Sequence, residues 1–381
     1  MNNKVSSTST ATALGILILL FPGGRGLADT STSGSTNVPI IYSTDLYQPH
    51  EDPDDHYDLM TLFAIEEFNV LGIVLDHGTK QLHRPGRIPL AQMARLRGRN
   101  TPFAIGLKPP FQSLKDDGFA QPKAFQEGVD LIIEALHKSP SKVTVFTVGS
   151  LRDIAAAYNR EPQLMKDKIT RLYINLGNTS GNKNEWNVLL DEKAFACILK
   201  SDLPIYWCPC FGKLYGTYWQ FKQNDVLAEA PAPIQNFFVF ALATGQKWKG
   251  PIPAGINDPV SFLFRAVDAP TLKAVGQYKR NMWCTAPFLH AAGYQVVEQE
   301  PNRWIPQPPT KIKKTPSKIF NFVPVRLATY KGGLTTVEEL PPSADSNLRI
   351  FKVLDQKHYS AAMADCLREL LRDFRLSPNN R

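Results

Sequence analysis

Residues 39–67 read PIIYSTDLYQPHEDPDDHYDLMTLFAIEE. The segment opens with an apolar run, Ile40 to Ser43, which predicts a buried strand. It closes with Leu59 to Glu67, where apolar side chains recur at helical spacing, and a second apolar run, Val70 to Leu75, comes soon afterwards. A strand, a helix and another strand in this order are typical of a parallel sheet covered by helices.

The same alternation continues as far as Cys208, and its apolar runs lack a polar face, as expected of strands that are buried on both sides. Further strands are predicted at Phe103–Ile105, Val143–Val148, Leu172–Leu176 and Pro204–Cys208. Further helices are predicted at Leu90–Leu96, Gln126–His137, Leu151–Tyr158 and Glu192–Leu199. We therefore expect an α/β fold with a mostly parallel central sheet and helices on both faces, an open Rossmann-like core that binds ligands at the carboxyl ends of its strands.

The pattern changes after Cys210. Two aromatic-rich helices are predicted at Ile234–Thr244 and Pro259–Val267, followed by a proline-punctuated loop at Pro301–Pro324. A strand at Arg349–Val353 and an amphipathic helix at Ser360–Phe374 are predicted to complete the domain.

The first 28 residues have the features of a secretory signal peptide. Lys4 precedes an apolar run from Ala13 to Phe21, and Ala28 provides a small residue for cleavage. The run is too short for the roughly 20 residues that span a bilayer, so no stable membrane anchor is expected. We predict a chain that is exported to the periplasm or secreted, with residues 29–381 as a single domain.

The net charge and the cysteines limit the classes of partner that are expected. Loss of Lys4 and Arg25 with the leader would lower the net charge from +8 to +6, a mild excess without a nucleic-acid-binding motif. The five cysteines lack paired zinc spacing, and a disulfide between Cys208 and Cys210 would be strained. Mostly buried thiols are expected, with at most one long-range disulfide.

Five aspartates and one glutamate lie between the first strand and the first helix, from Asp45 to Asp58. Acids at a helix start cap its first amides and interact favourably with its dipole, so a solvated acidic turn is one interpretation. Capping does not need so many acids, however. Their mutual repulsion favours a hard cation such as Ca²⁺, which takes six to eight oxygen ligands.

Several short motifs resemble those of the inosine-uridine preferring nucleoside hydrolase family, in the same order. Asp45 with Asp54-Asp55 resembles the family's D-x-D-P-G-x-D-D opening, and Thr147 to Ala155 resembles T-G-x-L-T-N-I-A. Leu172 to Gly177 is similar to the strand that ends in M-G-G. The later motifs A-E-F-N-x-x-x-D-P-x-A and H-D-P-L are matched by Asn184 to Ala194 and by Ile256 to Val260.

The resemblance implies a nucleoside hydrolase-like fold and a Ca²⁺ ion bound by Asp45, Asp55, the Val148 carbonyl and Asp258. Asp45 would also accept a proton from the attacking water. It further implies that Asp54, Glu185 and Asn187 hold the hydroxyls of a small-molecule riboside, and that the protein is a hydrolase of N-glycosidic bonds. Simpler roles remain open for three of these residues: Asn187 as a turn residue, Asp258 as a helix cap and Glu185 as a solvated acid.

One position departs from the family pattern. Where the family has a histidine that assists the leaving base, this sequence has Asn257, whose amide cannot deliver a proton. His77, His83 or His290 could substitute. Two alternatives therefore accompany the hydrolase hypothesis: an exported calcium- and sugar-binding protein with lost or altered turnover, and a hydrolase of another glycosidic linkage. A homo-oligomer is also compatible with the sequence.

Overall fold

A nine-stranded sheet lies at the centre of the protein. The structure, a computed structural model, describes residues 37–78, 80–180, 185–245, 247–331 and 334–380. The predicted signal peptide lies outside these residues, so export stays a prediction. From Thr36 onward the chain forms one compact unit.

The strands follow the sheet order β12-β11-β13-β6-β5-β4-β1-β2-β3. The seven strands from β13 to β3 are parallel to their neighbours, whereas β11 and β12 add an antiparallel edge. Two antiparallel ribbons, β7 with β8 and β9 with β10, lie outside this sheet. The strands are β1 Val38–Thr44, β2 Phe68–Leu75, β3 Phe103–Ile105, β4 Val143–Thr147, β5 Ile169–Ile174, β6 Ile205–Trp207, β7 Trp219–Lys222, β8 Lys279–Met282, β9 Gln295–Glu300, β10 Arg303–Gln307, β11 Phe320–Lys331, β12 Leu334–Glu339 and β13 Leu348–Val353.

Helices cover both faces of the sheet. Successive strand residues point to opposite sides, so Ile40 and Tyr42 belong to one buried apolar cluster and Ile41 to another. The first cluster includes residues of α1, α2, α9, α12 and α13, and the second includes residues of α3, α4, α5 and α7. The helices are α1 Asp54–Ala64, α2 Arg87–Arg97, α3 Glu127–Lys138, α4 Arg152–Arg160, α5 Pro162–Lys168, α6 Trp186–Leu190, α7 Glu192–Leu199, α8 Gln223–Leu227, α9 Ala232–Ala243, α10 Pro259–Phe262, α11 Ala269–Gly276, α12 Thr285–Ala291 and α13 Tyr359–Arg372.

The predicted fold class is confirmed, and three local predictions need correction. Helix α1 begins at Asp54 rather than Leu59, because the two acids in its first turn suit a helix N-terminus. The helix predicted at Pro259–Val267 ends at Phe262. The predicted loop Pro301–Pro324 contains β10 and the start of β11, since proline is tolerated in an edge ribbon such as β9–β10.

All five cysteines are buried free thiols, which confirms the expectation of mostly buried thiols. Among the described residues, no helix has both the length and the apolar character needed to cross a bilayer.

Candidate active site

A cavity of about 330 Å³ lies at the carboxyl ends of the central parallel strands. Asp45 lies directly after β1, Val148 directly after β4 and Asn175 directly after β5, and all three line the cavity. The first turn of α1 contributes Asp54 and Asp55. The sheet therefore places residues that are more than a hundred positions apart around one space, at the edge where ligands bind in such folds.

Six acidic side chains line this cavity: Asp45, Asp52, Asp54, Asp55, Asp58 and Glu185. The Asp45 and Asp55 carboxyls share a hydrogen bond, and Asp55 Oδ1 accepts another from Thr44 Oγ1 at 2.6 Å. Asp58 lies about one helical turn after Asp54 and Asp55, so α1 presents all three on the side that borders the cavity. Asp58 is only 4% exposed, and its Oδ1 has no hydrogen-bond partner.

Burial and mutual repulsion change the ionisation of this cluster. The pKa of Asp45 is raised to about 7, mainly by desolvation and further by the charges of Asp76 and Glu185. Desolvation also raises the pKa of Asp58 to about 7, with a smaller contribution from Asp45. The pKa values of Asp54 and Asp55 are raised well above the usual range by burial and neighbouring aspartates. Without a cation, the cluster therefore retains protons close to neutral pH.

A buried ion pair between Asp76 and Arg152 lies beside the acidic cluster. Asp76, directly after β2, accepts hydrogen bonds from Ser150 N and Ser150 Oγ, both at 2.8 Å, and lies 3.1 Å from Arg152 Nη2. Both charged side chains are almost fully buried. A Cβ on Gly149 would lie 2.9 Å from Asp76 Oδ2 and 3.0 Å from Asp45 N, so only glycine lets the loop after β4 come this close. Neither Asp76 nor Arg152 is assigned this role by a pattern in the sequence.

Glu185 and Asn187 meet the cavity at the start of α6. The Glu185 carboxylate accepts hydrogen bonds from the backbone amides of Gly177, Asn187 and Val188, at 3.0, 2.9 and 3.2 Å. Glu185 is thus a buried helix cap rather than a solvated acid, and burial raises its pKa. Asn187 Nδ2 donates to the Val148 carbonyl at 3.2 Å, and Asn187 Oδ1 has no partner.

Asn257 and Asp258 are not among the residues that line this cavity. Both are exposed, and Asp258 caps α10 by accepting a hydrogen bond from Ser261 N at 3.0 Å. The prediction that Asp258 converges on Asp45 and Asp55 is therefore corrected in favour of the capping role. The sequence Asp258-Pro259 allowed both interpretations, metal ligand and helix cap, because aspartate before proline is also a common helix cap.

Trp283 and Cys284 line the cavity instead, between β8 and α12. Cys284 is 3% exposed, and burial together with the neighbouring Asp58 carboxylate raises the pKa of its thiol. The sequence alone predicts only a buried thiol at this position. The one local signal in the sequence is a cysteine between a short strand and an apolar helix. This pattern is too common in proteins to identify a site.

Aromatic side chains form one wall of the cavity. Trp186 is 52% exposed and Phe211 is 41% exposed, which is unusual for large apolar residues. The Phe211 and Trp283 rings meet edge to face at 6.1 Å, and Tyr218 lies 5.7 Å from Trp283. We call Trp186, Phe211 and Trp283 the aromatic wall.

Lys80 is the one basic side chain that lines the cavity among the described residues. Its Nζ lies 2.6 Å from Glu51 Oε2, and the neighbouring Gln81 donates to Asp45 O at 2.7 Å and to Asp45 Oδ2 at 3.1 Å. Lys80 therefore lies on the side of the cavity that borders Asp45.

None of the three histidines proposed from the sequence lines the cavity. His77 is buried against Phe125, with the two ring centroids 5.2 Å apart. His290 Nδ1 is hydrogen-bonded to Tyr173 Oη at 2.7 Å, and His83 lies exposed in a short 3₁₀ helix. The structure therefore gives these histidines no position for the role that Asn257 leaves vacant.

The fold and the cavity place the protein among parallel α/β proteins that bind small ligands at the carboxyl ends of their strands. The sequence profile of the inosine-uridine preferring nucleoside hydrolase family matches residues 40–273. That match covers more than half of the chain, and the protein belongs to this family.

Individual relatives are more distant. The non-specific ribonucleoside hydrolase RihC of Shigella sonnei is 35% identical over 82 residues, which span 20% of this chain and 26% of the relative. RihC of Escherichia coli is 34% identical over the same coverage. The chain thus matches about a quarter of the length of these curated relatives, so their activity is a guide only to what should be tested.

Solved structures of nucleoside hydrolases align with most of the chain at low identity. The inosine-uridine preferring enzyme of Bacillus anthracis is 17% identical with a TM-score of 0.44, over 88% of this chain and 99% of that one. The purine-preferring ribonucleoside hydrolase of Gardnerella vaginalis is 14% identical with a TM-score of 0.48 over the same shares. The base preferences in these names belong to those proteins.

Proposed function

We propose that the protein hydrolyses the N-glycosidic bond of a ribonucleoside or a related riboside, using a water activated by a divalent cation at Asp45 and Asp55. Calcium is the ion that the family resemblance implies. The observation that carries the proposal is the hydrogen-bonded Asp45–Asp55 carboxyl pair, which faces the cavity beside the Val148 carbonyl. Two carboxyls this close favour a cation between or beside them.

The donor chemistry fits a divalent cation. Asp45, Asp55 and the Val148 carbonyl offer oxygen ligands, and the unpartnered Oδ1 of Asp58 lies in the same buried region. Among the described residues, no three acidic, thiol or imidazole groups lie close enough together to hold an ion. Binding therefore requires carboxylates to rotate within the cavity. When bound, a divalent cation would lower the pKa of a water ligand and so supply a nucleophile near neutral pH.

The protein groups then have separate tasks. Asp45 accepts the proton of the attacking water. Asp54 is partly exposed at the cavity, and Asn187 has a free Oδ1 there, so both can accept hydrogen bonds from ribose hydroxyls. Glu185 is occupied by three backbone amides, and we assign it to positioning Asn187 rather than to direct sugar binding.

The leaving group requires a different donor from the family's histidine. Lys80 is the cationic side chain at the cavity, and we propose that its ammonium donates a hydrogen bond to the departing base. The Glu51 carboxylate, 2.6 Å from Lys80 Nζ, would hold that ammonium in place. Such a hydrogen bond would partly neutralise the charge that develops on the leaving group, as proton transfer from a general acid would do.

The aromatic wall suggests the shape of the leaving group. Exposed indole and phenyl faces pack well against flat rings, and aromatic pairs add about 0.5–1.5 kcal/mol beyond simple burial. A planar base or another planar aglycone would cover Trp186, Phe211 and Trp283, which are otherwise partly open to water.

Release of reducing sugar from a panel of purine and pyrimidine ribonucleosides tests the proposal. We expect hydrolysis that is lost after treatment with a chelator and restored by a divalent cation. Asp45→Asn should be inactive under every condition and serves as the blank for contaminating nucleosidases. Hydrolysis that a chelator leaves unchanged would refute the metal-assisted mechanism.

The two alternative functions make different predictions in the same assay. A binding protein would take up ribosides in calorimetry without any sugar release, and the observation that favours it is that no histidine among the described residues lines the cavity. A hydrolase of another glycosidic linkage would act on aryl glycosides and leave nucleosides intact.

A further inference from the structure

The aromatic wall and the acidic side chains border the same space of about 330 Å³. Trp186 and Phe211 present much of their rings to it, with 52% and 41% of the side chains exposed. Trp283 immediately precedes Cys284, which has the Asp58 carboxylate as a neighbour. A flat group that packs on the wall therefore lies close to the acidic side chains.

The acidic side chains of the cavity outnumber the basic ones. Six acids line it, whereas Lys80 is the one basic side chain among the described residues that does so. Of the six acids, Asp52 alone forms an ion pair with a described basic side chain, at 3.9 Å from Arg280 Nη1. A divalent cation at Asp45 and Asp55 would offset two of the other charges and leave an excess of acids. A cleft lined by charges of one sign attracts ligands of the opposite sign.

One acid of the cavity has an unpartnered oxygen. Asp58 is 4% exposed, and its Oδ1 is buried without a hydrogen bond. Buried polar atoms are rarely left in this state, because they have lost their hydration and gained nothing in return. A positive charge on a bound ligand would interact favourably with this carboxylate in a region of low dielectric.

The donors available to a leaving group are limited. No histidine among the described residues lines the cavity, and the Lys80 ammonium already lies 2.6 Å from Glu51 Oε2. A neutral base needs a proton or a hydrogen bond as it departs, because its ring nitrogen takes the electron pair of the broken bond. A ring nitrogen that already carries a positive charge becomes neutral on taking that pair and needs no donor.

We propose that the cavity selects ribosides whose planar aglycone carries a permanent positive charge, as in an N-ribosylpyridinium or an N-alkylated purine riboside. This inference rests on the proposed function and names its substrate class. Indole rings attract cations more strongly than other aromatic side chains do, and the wall contains two of them, Trp186 and Trp283. The excess of acids favours the same charge.

The reaction is balanced without a general acid. The bond between the anomeric carbon and the ring nitrogen breaks, and its electron pair neutralises the positive nitrogen. The oxygen of the attacking water bonds to the anomeric carbon, and Asp45 accepts one proton from that water. The products are ribose, a neutral base and this one proton.

A pair of C-ribosides that differ only in charge tests the preference without turnover. The N-methylpyridinium C-riboside and its meta-tolyl counterpart have the same shape, and neither has an N-glycosidic bond to cleave. Calorimetry on the full-length protein with Ca²⁺ should show that the cationic compound binds more than about fivefold tighter, within the roughly 2- to 30-fold that cation–π contacts provide. Equal affinities would overturn the proposal.

A substitution in the wall tests which surface recognises the charge. Trp186→Leu removes an exposed indole and keeps an apolar side chain, and it should lower the ratio of the two affinities by about threefold or more. Phe119→Leu is the control, because Phe119 is 62% exposed and does not line the cavity. The control should keep the original ratio, and an unchanged ratio in Trp186→Leu would contradict the proposal. If Trp186→Leu does not fold, the comparison of the two C-ribosides on the unmodified protein decides the question.

Turnover separates this inference from the proposed function. The kcat/KM for N-ribosylnicotinamide should exceed the values for inosine and uridine by more than about tenfold, since a hydrogen bond from Lys80 replaces only part of the 10²- to 10⁴-fold effect of a general acid. Equal efficiency on inosine or uridine would uphold the proposed function and refute the inference. Tighter binding of the cationic C-riboside by a protein that releases no sugar from any riboside would support the charge preference and refute the hydrolysis.

Discussion

The carboxyl of Asp55, at the start of α1, shares a hydrogen bond with the carboxyl of Asp45, directly after β1. This contact joins two elements that the sequence separates by nine residues of connecting loop. Two carboxyls can approach in this way only when they share a proton or a cation. In the proposed function, the pair is the point at which protons and the cation would compete.

The first prediction concerns the pH dependence of stability in the metal-free protein. The folded-state pKa values of Asp45 and Asp58 are about 7, above the ordinary value of 3.8. The folded state then binds more protons than the unfolded state between these limits, so stability is highest below about pH 4 for these two groups and falls as the pH rises to about 7. Chemical denaturation in chelator at several pH values should show this fall.

The same measurement has an internal control. A divalent cation should reduce the decrease in stability, because it replaces the protons in the folded state. Asp45→Asn should also reduce it. A free energy of unfolding that is independent of pH between 4 and 7 in chelator would contradict the proposed ionisation of the cluster.

The second prediction concerns Lys80 and the leaving group. Lys80→Met should slow the hydrolysis of ordinary nucleosides by about 100-fold, the low end of general acid effects, because the departing base loses its cationic donor. Hydrolysis of p-nitrophenyl riboside should change little, since nitrophenolate leaves without assistance. Equal losses on both substrates would show that Lys80 acts on binding or structure instead.

A matched substitution tests how Lys80 is held. Glu51→Gln removes the carboxylate that lies 2.6 Å from Lys80 Nζ and keeps the side-chain volume. We expect it to reproduce part of the Lys80→Met effect on nucleosides, again without effect on the nitrophenyl substrate.

The sequence predicted much of this arrangement, and the reasons are local. Asp45, Asp54 and Asp55 follow a strand and open a helix, so pattern and acid density together placed them at the sheet edge. Val148 was placed in the same way, because it directly follows β4. Parallel strands bring such positions together wherever they lie in the chain.

The remainder depends on contacts between distant segments. Asn257-Asp258 resembled a family motif in sequence, but the loop that carries it ends on the surface, and Trp283-Cys284 reaches the cavity instead. The Asp76–Arg152 pair joins the ends of β2 and β4, which no local pattern connects. Lys80 was missed because a single lysine in a loop is usually a surface residue.

The third prediction concerns the buried Asp76–Arg152 ion pair. Arg152→Met should destabilise the protein by about 3–5 kcal/mol, because it leaves Asp76 buried and unpaired. Guanidinium chloride denaturation should reveal the loss as a lower midpoint. Arg326→Met is the control: its pair with Glu338 is exposed and should contribute less than about 1 kcal/mol. Similar effects of the two substitutions would show that Arg152 does not stabilise Asp76.

The last prediction separates the two interpretations of Asp258. If Asp258 only caps α10, Asp258→Asn should keep hydrolysis within about twofold of the original and leave metal affinity unchanged, since asparagine caps a helix about as well as aspartate. Asp45→Asn, measured in parallel, should lower the rate by more than about 100-fold, because it removes both an oxygen ligand and the proton acceptor. Steady-state kinetics and calorimetric metal titration of both variants provide the comparison. If Asp258→Asn weakened metal binding as strongly as Asp45→Asn, the capping interpretation would be wrong, and the loop containing α10 would have to close over the cavity in the metal-bound protein.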